Sequence, residues 1–131
     1  MKNIIVTTPK SEMQNAAKEA KKCIEDGAGY YFRSVSKMPK DIVIGESKIY
    51  YIEDGYIRGY GVIIGISNGN GQKCSVGDKT WKGPYFIWMP ACTWKWIKPI
   101  PMKGFQGFRY FNDKDVKVVG EWKDAKPVIH D

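Results

Sequence analysis

The stretch KIYYIEDGYIRGYGVIIGI, residues 48–66, decides the fold of this 131-residue chain. Asp54-Gly55 lies between two segments of alternating apolar residues, which is a strong signal for a tight β-hairpin. The strand after this turn is predicted to run over residues 56–66. Glycines recur along one side of it, at positions 59, 61 and 65, and glycines inside a strand mark bends or close approach of another backbone. We expect them to permit the curvature of a barrel.

Further strands are indicated by short β-branched or aromatic runs that end at prolines or turn residues. They are predicted at residues 3–7, 30–35, 42–44, 48–52, 85–89, 94–97, 108–111 and 116–119. One helix is predicted, with Ser11 as its N-cap, an alanine-rich stripe at helical spacing, and Gly27 as its stop. The predicted fold class is α+β: a small curved β-barrel with one N-terminal helix and short flanking turns.

The length of the chain suits one domain with its own core, and no linker or repeat divides it. Residues 1–131 are therefore predicted to form a single domain, with 123–131 as a frayed tail. No segment has the roughly 20 apolar residues of a membrane span, and none resembles a secretory signal. The three cysteines are widely spaced and odd in number, which favours reduced thiols. We expect a cytoplasmic protein without metal, cofactor or membrane contact.

Positive charge and aromatic rings are concentrated in the same part of the sequence. The formal net charge is +7, which suits an anionic partner. No Asp or Glu occurs between Asp78 and Asp113, and more than half of the aromatic residues fall in that interval. The same interval contains six cations: Lys79, Lys82, Lys95, Lys98, Lys103 and Arg109. This segregation favours a surface that binds both rings and phosphates.

Interleaved rings and cations are what a single-stranded nucleic acid requires. Aromatic side chains stack on bases of any identity, and Lys or Arg neutralises the phosphates. In a strand, Trp94 and Trp96 would face one side and Lys95 the other. For these two tryptophans the residues alone leave core and binding site equally open, whereas Phe108 and Phe111 favour the core.

The segment DIVIGESKIYYIEDGYIRGYGVIIGI, residues 41–66, resembles the central part of PUA-like domains, especially their ASCH and EVE branches. In those domains a strand enters through a G-D-x-I-Y type segment and returns as G-Y-x-x-I. Here Glu46 holds the acidic position and Ser47 precedes Lys48. PIPMKGFQGFRYF, residues 99–111, is similar to their closing strands. The resemblance covers residues 30–111 and implies a pseudo-barrel whose cleft, beside a helix, binds RNA or modified bases.

The predicted function is recognition of RNA or a modified nucleotide by aromatic stacking in a basic cleft. Trp94 and Trp96 are the expected stacking residues, and Gln106 offers an amide to a base edge. By analogy with PUA-like domains, the segment after the helix borders the cleft and adds two residues. The predicted binding residues are Arg33, Ser34, Trp94, Lys95, Trp96, Lys98, Lys103, Gln106 and Arg109.

Two other functions remain open at this stage. Some ASCH members are hydrolases of acylated nucleosides, and such chemistry needs a nucleophile, a base and an oxyanion stabiliser. Candidates are Thr93 or Cys92 as nucleophile, Lys79 or Lys95 beside it, and Glu46 or Glu53 as base, although no motif spaces them. A protein-interaction module is the second alternative, because interfaces favour Trp, Tyr and Arg, but they are depleted in Lys.

Overall fold

The computed structural model describes residues 1–8, 24–25, 29–68, 72–73, 80–81, 85–122 and 124. Within these ranges the chain forms strands and one short 3-10 turn, which spans Ala91–Thr93. In chain order the strands are β1 (Asn3–Thr7), β2 (Tyr30–Val35), β3 (Lys48–Glu53), β4 (Tyr56–Val62), β5 (Gly65–Asn68), β6 (Gln72–Lys73), β7 (Thr80–Trp81), β8 (Tyr85–Pro90), β9 (Lys95–Pro101), β10 (Phe108–Phe111) and β11 (Val118–Glu121).

These strands form open sheets, so the predicted α+β barrel is wrong. The described residues build a six-stranded sheet in the order β10-β1-β3-β4-β9-β11, a three-stranded sheet in the order β2-β8-β5, and the two-stranded ribbon β6-β7. No closed barrel and no N-terminal helix is found among them. The residues predicted to form that helix, 11–27, lie outside the described ranges except for Ile24 and Glu25, which have helical backbone conformation.

The six-stranded sheet is built around the β3–β4 hairpin. Asp54 and Gly55 both have left-handed backbone conformation, with φ of 54° and 83°, as a two-residue type I′ turn requires. The hairpin predicted from the Asp-Gly pair is therefore confirmed. On its other side β3 pairs in parallel with β1, whereas β10 pairs antiparallel with β1, β9 with β4, and β11 with β9.

The strand predicted over residues 56–66 is two strands in different sheets. β4 belongs to the six-stranded sheet and β5 to the three-stranded one. Between them the N–H of Ile63 donates to the carbonyl of Ser47 (2.8 Å), and the N–H of Ile64 donates to the carbonyl of Trp88 (3.0 Å). Consecutive residues thus bond to different sheets, so the backbone crosses here from one sheet to the other.

Two apolar clusters lie on opposite faces of the six-stranded sheet. The first joins the two larger sheets and includes Ile4, Met89 and Trp94. The second, on the far face, includes Ile5 and Tyr50. Neighbouring residues such as Ile4 and Ile5 enter different clusters because side chains alternate along a strand. Both faces of this sheet are therefore apolar.

Of the other predicted strands, some are confirmed, one is wrong and one is shifted along the sequence. The strands expected at 3–7, 30–35 and 108–111 are observed with the same bounds. The strand expected at 42–44 is wrong, because these residues form a loop that leads into a turn. The last strand lies two residues later than expected, at Val118–Glu121.

Candidate nucleic-acid interface

Trp94 and Trp96 lie inside the protein. Their exposed fractions are 0% and 2%, and both belong to the first apolar cluster. Their rings meet edge to face, with centroids 5.4 Å apart. The indole N–H of Trp96 donates to the carbonyl of Asp124 at 3.2 Å. An indole packed in this way has no free face for a base, so the expectation of two exposed stacking tryptophans is wrong.

Gly59 explains how the Trp94 ring reaches this position. A Cβ atom on Gly59 would overlap the ring of Trp94 and the carbonyl oxygen of Lys95. The glycine expected to provide barrel curvature therefore provides space for an indole instead. The signal was present in the sequence, since glycine in a strand also marks close approach by another group, but the sequence does not say what approaches.

The predicted cations do not form one cluster. Lys95 faces away from the two tryptophans, toward the second apolar cluster, and its ammonium lies 2.7 Å from a carboxylate oxygen of Glu121. This hydrogen bond raises the pKa of Lys95 above its usual value. Lys98 is exposed farther along β9. Arg33 and Ser34 lie on β2, in the three-stranded sheet. The β2 pair and the β9 pair therefore belong to different sheets.

Three predicted residues do lie in one region: Lys103, Gln106 and Arg109 are all exposed on β10 or on the loop before it. This loop is attached to the end of β1, where the N–H of Phe105 donates to the hydroxyl of Thr7 at 3.0 Å. Gly107, with φ of 74°, turns the chain from the loop into β10 in a conformation that glycine tolerates best.

At β10, cations lie on aromatic rings at the protein surface. The guanidinium of Arg109 is 4.2 Å from the ring centroid of Phe105, and the ammonium of Lys2 is 5.0 Å from that of Tyr110. Tyr110 is 44% exposed, and its hydroxyl accepts a hydrogen bond from the backbone N–H of Lys40 at 2.9 Å. These distances are within the range of cation–π attraction.

We call this region the β10 surface and define it by six residues: Lys2, Lys40, Lys103, Phe105, Arg109 and Tyr110. Arg109 pairs with Ile5 and Tyr110 with Ile4, which enter opposite apolar clusters. The two side chains therefore leave opposite faces of the strand, and the β10 surface wraps around this edge of the sheet. It includes four cations, and Asp41, next to Lys40, is an exposed acid beside it. β10 is the edge strand of its sheet in the described part of the chain. Sequence reasoning missed the roles of Lys2, Lys40 and Tyr110, because Lys2 and Lys40 are brought to β10 by contacts with Tyr110 that span 70 residues or more.

A polar cluster on the far face of the large sheet is satisfied internally. The hydroxyl of Tyr50 donates to Asp113 at 2.8 Å, and the ammonium of Lys48 lies 3.5 Å from the same carboxylate. Burial, followed by the hydrogen bond to Asp113, raises the pKa of Tyr50 far above its usual value. Lys48 also lies 4.9 Å from the ring centroid of Tyr60. This cluster anchors the 112–117 loop to the sheet.

Among the residues considered for hydrolysis, Thr93 is held by two hydrogen bonds. The Thr93 hydroxyl donates to the carbonyl of Pro90 and accepts the N–H of Val62, at 2.7 and 3.1 Å, which is a structural role. Glu53 is buried, whereas Glu46 and Cys92 are exposed; Lys79 lies outside the described residues. Within the described ranges, no cluster of His, Cys, Asp and Glu could hold a metal ion.

No protein-family model, curated protein or solved structure matches this chain. The resemblance to PUA-like domains therefore stays a prediction. Among the residues described, the structure contains no helix with the length and apolar character needed to cross a bilayer.

Proposed function

We propose that the protein binds single-stranded nucleic acid, RNA or a strand with modified nucleotides, through the β10 surface. The observation that carries the proposal is the exposed Tyr110 ring with a lysine ammonium 5.0 Å from its centroid. Arg109, on the same strand, lies over Phe105. One ring–cation pair lies on each face of this accessible edge strand, so a nucleic-acid strand that wraps around the edge would contact both pairs.

The two kinds of group have separate tasks. Tyr110 offers a ring to a base, and stacking of this kind is worth about 1–3 kcal/mol per base. Lys2, Lys103 and Arg109 neutralise phosphates and release the counterions bound to them. Because Arg109 and Lys2 rest on rings, less side-chain freedom is lost when a phosphate arrives, and an ordered cation is a better phosphate ligand than a mobile one.

A salt titration tests the electrostatic part of the proposal. Binding of a fluorescently labelled single-stranded RNA is measured by anisotropy at increasing salt concentrations. If three cations of the β10 surface contact phosphates, log K is expected to fall with log salt with a slope of about −2, at about −0.7 per phosphate. Arg109→Gln is expected to make the slope shallower by about 0.7. A salt-independent affinity would contradict the proposal.

Lys117→Gln is the matched control. Lys117 is exposed near β11, at the opposite edge of the six-stranded sheet, so the change removes the same kind of charge from a remote surface. Affinity and slope are expected to stay close to those of the unmodified protein. Equal losses in the Arg109 and Lys117 variants would mean that the attraction comes from net charge alone, and would remove the β10 surface from the proposal.

The same samples separate binding from catalysis. RNA and acylated nucleosides recovered after incubation are expected to be unchanged, because the Thr93 hydroxyl is held by hydrogen bonds to Pro90 and Val62. Chemical conversion of either substrate would favour a hydrolase instead.

A further inference from the structure

A second aromatic surface lies on the outer face of the three-stranded sheet. In this sheet Phe32 of β2 pairs with Trp88 of β8, which pairs with Gly65 of β5. Directly paired residues have their side chains on the same face, so Phe32, Trp88 and Gly65 form one row across the sheet. Phe32 and Trp88 are partly exposed, and their ring centroids lie 5.3 Å apart. The two rings thus form a continuous, partly exposed surface. Phe86, two residues before Trp88 on the same face, is fully buried and lies 5.0 Å from the Phe32 ring, so the accessible part of this face lies on the Trp88 side.

A hydroxyl group lies at the side of this surface. The indole N–H of Trp88 donates to the Oγ of Ser67 at 2.7 Å, in an exposed position. Because the Ser67 oxygen acts as the acceptor in this bond, its own hydrogen remains available to donate. Ser67 is exposed, so the donor can reach a ligand. The hydrogen bond also holds the Trp88 ring in one orientation.

Gly65 leaves a gap in the row beside Trp88. A Cβ atom at this position would meet nothing within 4 Å. Gly65 has no positive φ, unlike Gly55 of the hairpin turn. Neither backbone conformation nor packing inside the protein therefore requires glycine here, in contrast to Gly59. Gly65 is the first residue of β5, directly after the crossing between the sheets. Glycine in a strand occurs where the chain bends or where another molecule approaches the backbone, and the open space beside Gly65 favours the second reason.

We propose that this gap binds one flat heterocyclic ring, the unpaired base of a bound nucleotide. The ring lies over the backbone of Gly65 against the Trp88 indole, and the Ser67 hydroxyl donates to an acceptor on its edge. This inference rests on the proposed function, since the base belongs to the strand held at the β10 surface. Lys40 of the β10 surface follows Phe32 by eight positions in the sequence, so their Cα atoms lie at most about 29 Å apart.

The indole N–H resonance of Trp88 is a direct probe of this site. In ¹⁵N–¹H spectra of the full chain, Trp88→Phe identifies the signal by removing it. The four ribonucleosides, which lack phosphate, are titrated separately. At least one is expected to shift the Trp88 signal in a saturable way while leaving the signal of the buried Trp94 unchanged. If none of the four shifts it, the base-binding site is refuted.

Gly65→Val tests the gap itself. The Cβ atom of valine meets nothing within 4 Å, so the melting temperature is expected to be equal to or above that of the unmodified protein. Nucleoside affinity is expected to fall at least tenfold, because the side chain occupies the place of the base. Gly65→Ala, with a smaller side chain, is expected to give a smaller loss. Unchanged nucleoside affinity in the folded Gly65→Val protein would overturn the inference.

Tyr110→Ala separates this inference from the proposed function. The variant is expected to weaken RNA binding but to leave the nucleoside-induced shift of Trp88 intact. Nucleoside binding without any RNA binding by the unmodified protein would refute the β10 surface and keep the base site. RNA binding without a Trp88 shift would keep the β10 surface and refute the base site.

Discussion

Two regions of one aromatic and basic segment differ in the burial of their rings. Trp94 and Trp96 enter the core with almost no exposed surface, whereas Tyr110, fourteen residues after Trp96, remains 44% exposed. Both regions mix rings with cations in the sequence. The difference lies in their neighbours. β9 is an interior strand whose partner β4 offers Gly59, while β10 is an edge strand beside β1. A ring is buried when its partner strand leaves room for it, whatever charges flank it in the sequence.

The largest effect that tests this comparison is expected from Trp94→Ala. Removing a fully buried tryptophan leaves a cavity in the first apolar cluster, and such changes cost about 3–5 kcal/mol of unfolding free energy. Urea denaturation followed by circular dichroism measures the loss. If the variant keeps its full stability, Trp94 lies at the surface and the contrast between buried and exposed rings is contradicted.

Trp94→Phe is the control for this change. Among the described residues the indole N–H of Trp94 has no hydrogen-bond acceptor, so phenylalanine removes a buried polar group as well as some packing. Its cost in unfolding free energy is expected to be clearly smaller than that of alanine.

Gly59→Val tests the other half of the same contact. The new side chain would overlap the Trp94 ring and the Lys95 carbonyl, so ring or backbone must shift, at a cost of about 1–3 kcal/mol. Gly65→Val introduces the same residue where nothing lies within 4 Å, and its unfolding free energy is expected not to fall. Equal losses in both proteins would mean that valine is unfavourable in these strands for a reason other than contact with Trp94.

At the exposed end of the comparison, Tyr110→Ala is expected to act more on binding than on stability. Loss of one stacking ring weakens RNA binding by about 1–3 kcal/mol, while unfolding free energy falls by only about 0.5–1.5 kcal/mol, the usual contribution of one hydrogen bond, here that with the Lys40 N–H. Anisotropy and urea denaturation on one preparation give both values. Tyr110→Phe, which keeps the ring, is expected to bind almost as well. A large stability loss in Tyr110→Ala would show that this ring is also structural.

The smallest effect is expected from Lys95→Gln, which removes the ion pair with Glu121. Partly exposed pairs of this kind contribute about 0.2–1 kcal/mol. The pKa of Lys95 is raised in the folded protein, so its contribution is complete below the unfolded pKa of about 10.4 and disappears as the pH rises through the folded pKa. The stability difference between the two proteins should therefore shrink between pH 7 and strongly alkaline pH. A difference that grows with pH would contradict the ion pair.

Local strand signals in this sequence predict local structure well. In the segments that form β1 and β2, β-branched and aromatic residues alternate or lie next to one another. The predicted bounds of both strands are correct. Asp54-Gly55 specifies its own turn, because the required left-handed conformations belong to those two residues. These elements were predictable since the information lies within a few neighbouring residues.

Sheet closure and strand division depend on contacts that the local pattern does not contain. Residues 56–66 alternate without interruption, yet Ile63 and Ile64 bond to different sheets. A barrel and a pair of open sheets use the same alternating strands, and they differ only in which distant edges meet. The helix predicted at residues 11–27 lies almost wholly outside the described residues.

The candidate site was only partly predictable for the same reason. Lys103, Gln106 and Arg109 lie close together in the sequence, and the structure places all three on β10 or on the loop before it. Lys2 reaches Tyr110 only because β1 pairs with β10, and Phe32 meets Trp88 only through the β2–β8 pairing. An acid-free interval locates the charge, but it does not show which of the rings inside it face the solvent.

The position of β1 has a consequence for biosynthesis. Residues 3–7 leave the ribosome early, but one edge of that strand is covered by residues 48–53 and the other by residues 108–111. Pairing over such sequence separations is slow, because a long loop must close before any contact forms. A nascent chain that stalls before residue 108 would expose an unpaired edge of four consecutive apolar or β-branched side chains, Ile4 to Thr7, which is a template for aggregation. The order of the strands therefore leaves this edge of β1 uncovered until residues 108–111 have been made.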